Sequence, residues 1–498
     1  MQTKIDLDLW KKNRIKEDEI KKYKKKDQAS FINQGLIESL LTKKRKVGKK
    51  EVEGILAKSL TIETLSLEET AALLSVEDKE LLALMQETAF KIKKKVYDNR
   101  IVTFAPLYLG NFCVNDCLYC GFRESNKNAR RKVLNYSEIE SDAKVLAGEI
   151  GHKRLIVVYG EHPLNDVDYI KESIKTIYSV REETKNGFGQ IRRVNINASP
   201  FKIDDLKRLN EVGIGTYQVF QETYHPDTYK MLHPKGTIKG NYDWRLYCMH
   251  RAFEAGIDDV GIGALFGLYD WKFEVMGLVS HSRELEDRFG IGPHTISFPR
   301  LEPADNSPFT QDSKFKVSDQ DFKKLITIIR LAVPYTGMII TARETPEIRE
   351  DSLKLGVTQT DASTRIGIGG YSKATQTQSS NRQQFLLGDT RSLDEVVCKF
   401  SQMGFITSFC TAGYRCGRTG KCIMELLKSG EEGKFCKLNA VLTFREWLDD
   451  FASKKTKEVG QKVINKEINE IKEKNPKIYQ QFIDFYDRIK NGERDLYF

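Results

Sequence analysis

No run of about 18 apolar residues occurs anywhere in the 498-residue chain, so a membrane-spanning helix is not expected. The N-terminus, Met1-Gln-Thr-Lys-Ile-Asp-Leu7, lacks the apolar stretch of a signal peptide, and the expectation is a soluble, cytoplasmic protein. A secreted disulfide framework is missing as well. Nine cysteines (113, 117, 120, 248, 398, 410, 416, 422 and 436) fall in two clusters and two singletons, which suits a reducing compartment. Despite a formal charge of +10, no basic motif is interleaved with aromatic residues. The lysine excess lies in Lys21 to Lys26, Lys43 to Lys50 and near the C-terminus, the pattern of solvated helix faces, and nucleic acid is not expected as a partner.

What the chain does contain is the triad Cys113, Cys117 and Cys120, spaced C-x3-C-x2-C directly after the apolar run Ile101 to Leu109. Three thiolates on one short loop can hold three irons of a [4Fe–4S] cluster and leave the fourth open to a small molecule, whereas a fourth cysteine would close it. Zinc is the alternative, but structural zinc sites usually present two Cys or His pairs, and no second pair lies nearby. Unligated cysteines are the remaining reading.

Residues 1–95 are rich in Lys, Glu, Leu and Ile at helical spacing, with Ser66-Leu-Glu-Glu69 as a capping-box-like start. From residue 101 short β-rich runs alternate with longer amphipathic stretches: 101–109, 154–160, 194–199, 216–223, 258–266, 295–300, 337–342 and 356–360. This alternation predicts an α/β fold, a (β/α)8 TIM-type barrel over 96–371, with a six-stranded open barrel as competitor. Catalytic residues should then lie at the C-terminal strand ends, where the triad sits. Residues 372–498 read as a C-terminal helical region carrying the second cysteine group. Gly160-Glu161 ends the second strand and places a carboxylate at the barrel mouth. Gly367-Ile-Gly-Gly370 reads as a tight turn, because it lacks the strand-to-helix context of a dinucleotide fingerprint.

A cysteine triad followed one βα unit later by Gly-Glu resembles the radical S-adenosylmethionine (SAM) superfamily. Longer blocks narrow the resemblance: Ile191-Arg-Arg-Val-Asn-Ile-Asn197, Gly213 to His225, Asp258 to Trp271, Gly292-Pro-His-Thr-Ile-Ser-Phe-Pro-Arg300, Thr341-Ala-Arg-Glu344, Gly369-Gly-Tyr371 and Leu387 to Val396. Together they identify the chain as a member of the HydG/ThiH family of tyrosine lyases. The resemblance implies a [4Fe–4S] cluster on Cys113, Cys117 and Cys120, SAM with its ammonium received by Glu161, and Tyr119 against the adenine. It implies L-tyrosine as substrate, with Arg343 binding its carboxylate, and cleavage of the Cα–Cβ bond to p-cresol and dehydroglycine. Reduced ferredoxin or flavodoxin is the implied electron donor, and hydrogenase maturation proteins are the implied partners. Bidentate guanidinium geometry suits Arg343 for a carboxylate; the competing reading is a surface pair with Glu344. In Thr360-Asp-Ala-Ser-Thr-Arg365, Asp361 places an acid where relatives have a hydroxyl, which leaves room for another aromatic amino acid as substrate.

The C-terminal cysteines depart from the family. Its HydG members carry C-x2-C-x22-C, the ligands of a second cluster at which dehydroglycine becomes carbon monoxide and cyanide. Here the middle position is Gly413, between Cys410 and Cys436. Glycine offers iron no donor, so the expectation is isolated thiols on a retained scaffold and no second iron–sulfur cluster. The alternatives are a cluster rebuilt through Cys416 or Cys422, which would restore full hydrogenase maturation, or a zinc site. His294 stands where the resemblance implies an imidazole ligand beside that second cluster. An inactive scaffold partnering an intact paralogue is the reading from outside enzymology.

Overall fold

The computed structural model describes residues 6–27, 29–43, 47–372, 383–429 and 432–498. Strand β1 is Arg100–Gly110, β2 Arg154–Tyr159, β3 Glu182–Glu183, β4 Phe188–Gly189, β5 Arg193–Asn197, β6 Tyr217–Gln218, β7 Val260–Gly263, β8 Thr295–Ser297, β9 Gly337–Ile340, β10 Gln359–Asp361 and β11 Ile406–Ser408. Eight of them (β1, β2 and β5 to β10) pair in parallel in chain order, and β10 returns to β1 through Val102↔Gln359 and Phe104↔Asp361. This is the closed eight-stranded barrel that the alternation predicts, and the open six-stranded competitor is excluded. Each barrel strand is buried on both faces, inward against the interior and outward against helices. That is why they read as apolar runs without a polar face.

Several strands are shorter than their apolar runs. The 216–223 run pairs regularly only over Tyr217–Gln218. Looser backbone bonds continue it, Val219 N to Gly261 O at 3.3 Å and Gln221 N to Gly263 O at 3.0 Å. Glu222 then takes φ +72° and turns its side chain out of the ladder.

The element that periodicity does not announce is β11, inside the stretch expected to be helical. It pairs with the first residues of β1, Arg100↔Ile406 to Val102↔Ser408, just below the point where β10 takes over. Three residues are too short to show a period. They nevertheless bring Cys410 and Gly413 to the N-terminal end of the barrel, opposite the cysteine triad.

Helices Leu7–Arg14, Gln34–Thr42, Lys49–Leu60, Leu67–Leu74 and Lys79–Tyr97 precede the barrel. The capping box at Ser66 is formed: its hydroxyl accepts from Glu69 N, and Glu69 returns a bond to Ser66 N at 2.7 Å. One apolar core runs from Ile20 to Ile489 through the barrel wall and the C-terminal helices. No described helix is long and apolar enough to cross a membrane.

Buried charge ties the C-terminal helix Glu432–Asp450 to the barrel floor. Glu446 receives Arg192 at 2.9 Å and lies 3.5 Å from Lys153. The ammonium of Lys437, 5% exposed, is enclosed by Asp98, Glu467 and Glu470 at 2.6–2.7 Å. Removing the cation would leave three carboxylates facing one another in a buried place. Lys437→Met is therefore expected to cost about 3 kcal/mol or more, read as a fall of several degrees in apparent Tm.

Candidate active site

The C-terminal end of the barrel opens into a cavity of about 140 Å³. Cys113, Cys117, Cys120, Tyr119, Glu161 and Arg343 all line it, so residues more than 200 positions apart meet in one chamber. The triad loop is held there by a close crossing. Gly160 N bonds Gly110 O at 2.8 Å, Val114 N bonds Glu161 O at 2.9 Å, and a Cβ on Gly160 would lie 2.2 Å from the carbonyl oxygen of Phe112. Only glycine lets β2 end against the thiol loop. Burial pushes the Cys117 thiol up to about 12 and raises Cys113 as well, and the neighbouring thiols add to both. Three thiols on one cavity wall, Cys117 buried and Cys113 and Cys120 partly so, are a donor set that suits a metal cation.

Glu161 is 6% exposed. Its Oε2 accepts from Asn115 Nδ2 at 2.6 Å, while Oε1 is buried without a hydrogen bond. Oε1 faces Arg14 Nε at 3.6 Å from behind the wall, and a carboxylate that lines a cavity is a place for a cationic ligand. Tyr119 donates its hydroxyl to His233 Nε2 at 2.7 Å. Burial holds His233 well below the usual histidine range, so the ring is neutral; its Nδ1–H donates to Tyr229 O at 2.8 Å, leaving Nε2 to accept.

Sequence reasoning missed four wall residues. Asn115 binds Glu161 and also receives Lys239 N at 2.8 Å through Oδ1. Glu222 takes Lys239 Nζ at 2.7 Å and Arg245 Nη2 at 3.1 Å. Burial alone would push Glu222 up, but these two cations outweigh it and hold the carboxyl below its usual range. Glu222 was legible as a charged residue ending a barrel strand. Lys239 and Arg245 sit in a loop and a later helix and carried no local signal.

Arg343 lies on the wall shared with an inner cavity of about 100 Å³ that reaches down the barrel past Tyr108, Phe220, Ser297, Asp361 and Phe385. Its guanidinium stacks 3.3 Å from the centroid of Phe385 and forms no ion pair with any described residue. The expected alternative, a pair with Glu344, is not made: Glu344 is buried and bound by Arg300 through Nε at 3.0 Å. Asp361 is occupied structurally. Its Oδ1 accepts from Ala342 N at 2.7 Å and its Oδ2 from Thr364 at 2.8 Å, so the unusual acid fastens the strand end beside Arg343. Gly367 to Gly370 leads into a turn with Gly369 at φ +71°.

At the opposite end a cavity of about 90 Å³ is lined by Cys410, Gly413, Cys436, His294 and Asp259 among others. His294 Nδ1 is 3.6 Å from Asp259 Oδ2. Cys416 and Cys422 do not line it; both are exposed, and Cys416 Sγ faces Phe498 O at 3.8 Å. The lower cavity therefore presents two thiols, and the two extra cysteines point elsewhere.

The Radical SAM superfamily profile matches residues 107–276, and the Biotin and Thiamin Synthesis associated domain matches residues 297–406. The 2-iminoacetate synthase of Salmonella typhimurium is 28% identical over 349 residues, covering 70% of this chain and 87% of that one. A crystal structure of HydG, a maturase of the [FeFe]-hydrogenase, superposes with a TM-score of 0.88 at 46% identity, over 94% of this chain and all of the other. HydG from Carboxydothermus hydrogenoformans gives 0.74 at 36% identity, over 96% and 99%.

The crossing at Gly160 is testable by itself. Gly160→Ala must displace backbone, since the clash is with a carbonyl and not a flexible side chain. A loss of about 2–3 kcal/mol is expected, seen as a lower melting temperature and a lower iron content after reconstitution.

Proposed function

Because the chain belongs to the HydG family of radical SAM enzymes, we propose that it cleaves the Cα–Cβ bond of L-tyrosine to p-cresol and dehydroglycine. The observation that carries this reading is Arg343, a cation without an ion-pair partner among the described residues, set between the thiol-lined chamber and an aromatic-walled inner cavity. An amino acid whose carboxylate meets this guanidinium points its ring into the inner cavity and leaves its amino group facing the triad.

Cys113, Cys117 and Cys120 fit a [4Fe–4S] cluster: all three Sγ-bearing residues face one cavity, and no fourth cysteine joins them there. Held by these three cysteines, the cluster would supply, together with SAM, the radical chemistry that removes a hydrogen atom from the tyrosine amino group. The chain's own residues position the reactants. The Glu161 carboxylate receives the SAM ammonium. Lys239 and Arg245, pinned by Glu222, present positive charge for the SAM carboxylate. Tyr119, fixed by His233, offers its ring to the adenine. A reduced ferredoxin or flavodoxin is the proposed donor of the electron. Arg343 anchors the substrate while the bond breaks, and the closed barrel wall keeps water from the substrate radical.

The lower cavity does not fit a second cluster held by three thiolates. Gly413 has no donor, and Cys416 and Cys422 are turned away from it. We propose that in this chain the reaction ends with dehydroglycine. Its imine carbon is open to water, which would give glyoxylate and ammonia.

Anaerobic incubation of the reconstituted protein with SAM, reductant and labelled tyrosine should yield p-cresol and glyoxylate without carbon monoxide. Intact SAM cleavage with no p-cresol would sink the substrate assignment. Arg343→Lys loses the planar fork and should lower kcat/KM for tyrosine about 10- to 100-fold while leaving SAM binding in place.

A Cβ at position 413 would meet only Arg418 O, at 3.4 Å, so the cavity has kept room for a cysteine. In a background lacking the first triad, Gly413→Cys should bring back cluster absorbance and bound iron that the parent background lacks. Iron already present with Gly413, and lost on Cys416→Ser, would instead show a rebuilt cluster.

A further inference from the structure

The helix Leu7–Arg14 sends its last residue to the back of the SAM site. Arg14 Nε lies 3.6 Å from Glu161 Oε1, with the two side chains 11% and 4% exposed. The rest of the guanidinium is seated against the loop after β5. Nη2 donates to Ser199 Oγ at 2.9 Å and to Pro200 O at 3.0 Å, Nη1 is 3.7 Å from Asp205, and the group lies 4.3 Å over the Phe201 ring. Glu161, Ala198 and Ser199 line the upper cavity, whereas Arg14 does not. It therefore stands outside the wall and takes no ligand itself.

From Arg14 the chain runs on as a strap over the barrel flank. Ile203 N donates to Glu19 Oε2 at 3.1 Å, Tyr23 donates to Glu254 at 2.5 Å, and Arg288 donates to Tyr23 O at 2.9 Å. The strap's contact with Glu161 is its one link to the thiol chamber among the described residues' ion pairs.

On the functional reading above, we infer that Arg14 is a positioning residue of the SAM site, holding Glu161 through Oε1 against the outer wall so that the carboxylate keeps its place beside the ammonium. The physical reason is a competition between two cations. Arg245 is within Coulombic reach of Glu161 from the cavity side, and in a poorly solvated chamber an unbraced carboxylate is drawn toward it. Such a move would close the ammonium site and loosen Arg245 from Glu222. Arg14 opposes it from behind, while its bonds to Ser199 and Pro200 hold the adjoining wall. Glu161 in the braced position is bonded to Asn115 through Oε2 and faces Arg14 through Oε1, so both oxygens are held and the carboxylate stays at the cavity wall.

The test is equilibrium binding of labelled SAM to cluster-reconstituted protein, with iron content measured on each variant and KM and kcat for 5′-deoxyadenosine formation read alongside. Arg14→Gln ends at the position of Nε, so it removes the charge together with the Nη2 bonds to Ser199 and Pro200. It should weaken SAM binding and raise its KM together by about tenfold, with kcat at saturating SAM within about twofold of the parent. Arg14→Lys keeps the charge and should recover most of the affinity. Tyr23→Phe loosens the strap at Glu254, away from the site, and should bind SAM as the parent does. Parental SAM affinity in Arg14→Gln, or an equal loss in Tyr23→Phe, overturns the brace. Absence of SAM binding by the unmodified protein overturns the functional reading, and this inference with it.

Discussion

The site rests on one close approach, the end of β2 against the thiol loop at Gly160 and Phe112. A side chain at 160 would occupy the place of the Phe112 carbonyl, so its lack lets the backbone bonds from Gly160 to Gly110 and from Val114 to Glu161 form together. Those bonds set the separation between the triad and Glu161. Every later feature of the chamber takes its place from that pair: Asn115 bridges them, Lys239 is bonded to Asn115, and Glu222 is bonded to Lys239. A loop of three thiols becomes one wall of a chamber because β2 delivers a carboxylate to the other wall at a fixed distance.

Buried charge is distributed unevenly around this chamber, and the unevenness is informative. Glu222, Lys239 and Arg245 satisfy one another, and Asp361 is consumed by Ala342 and Thr364. These groups shape the cavity at little net cost, because their desolvation is met by near neighbours. Glu161 Oε1 and the guanidinium of Arg343 are different. One lacks a hydrogen bond and the other an ion pair among the described residues, and both residues line the thiol chamber. A folded chain tolerates such groups where a ligand completes them.

The two ends of the barrel contrast. Closure of β10 on β1 places the triad at one end, and insertion of β11 beside the start of β1 places Cys410 and Gly413 at the other. The upper end brings three cysteines to one cavity, and the lower end two cysteines and a histidine with glycine at 413. The helix that carries Cys436 is fixed by ion pairs outside the cavity, Glu446 to Arg192 and Lys437 to Asp98 before β1.

Much of this was written locally. Eight apolar runs at βα spacing gave the barrel, since a strand buried on both faces must be apolar throughout, and Ser66 and Glu69 gave a helix start through their own backbone bonds. The triad, Gly160-Glu161 and Arg343 were readable because each stands at a strand end or carries a motif's spacing. β11 entering the sheet over three residues and the approach of Arg14, Lys239 and Arg245 were not readable. Their meaning comes from distances between segments that sequence spacing does not encode. The sequence alone thus determined the fold class, the clustering of the three cysteines on one loop and the glycine at 413, which depend on residue type and local period. Only the tertiary structure decided which charges are satisfied, which are left facing the cavity, and that Cys416 and Cys422 turn away. Those outcomes depend on which side chains a closed barrel forces into contact.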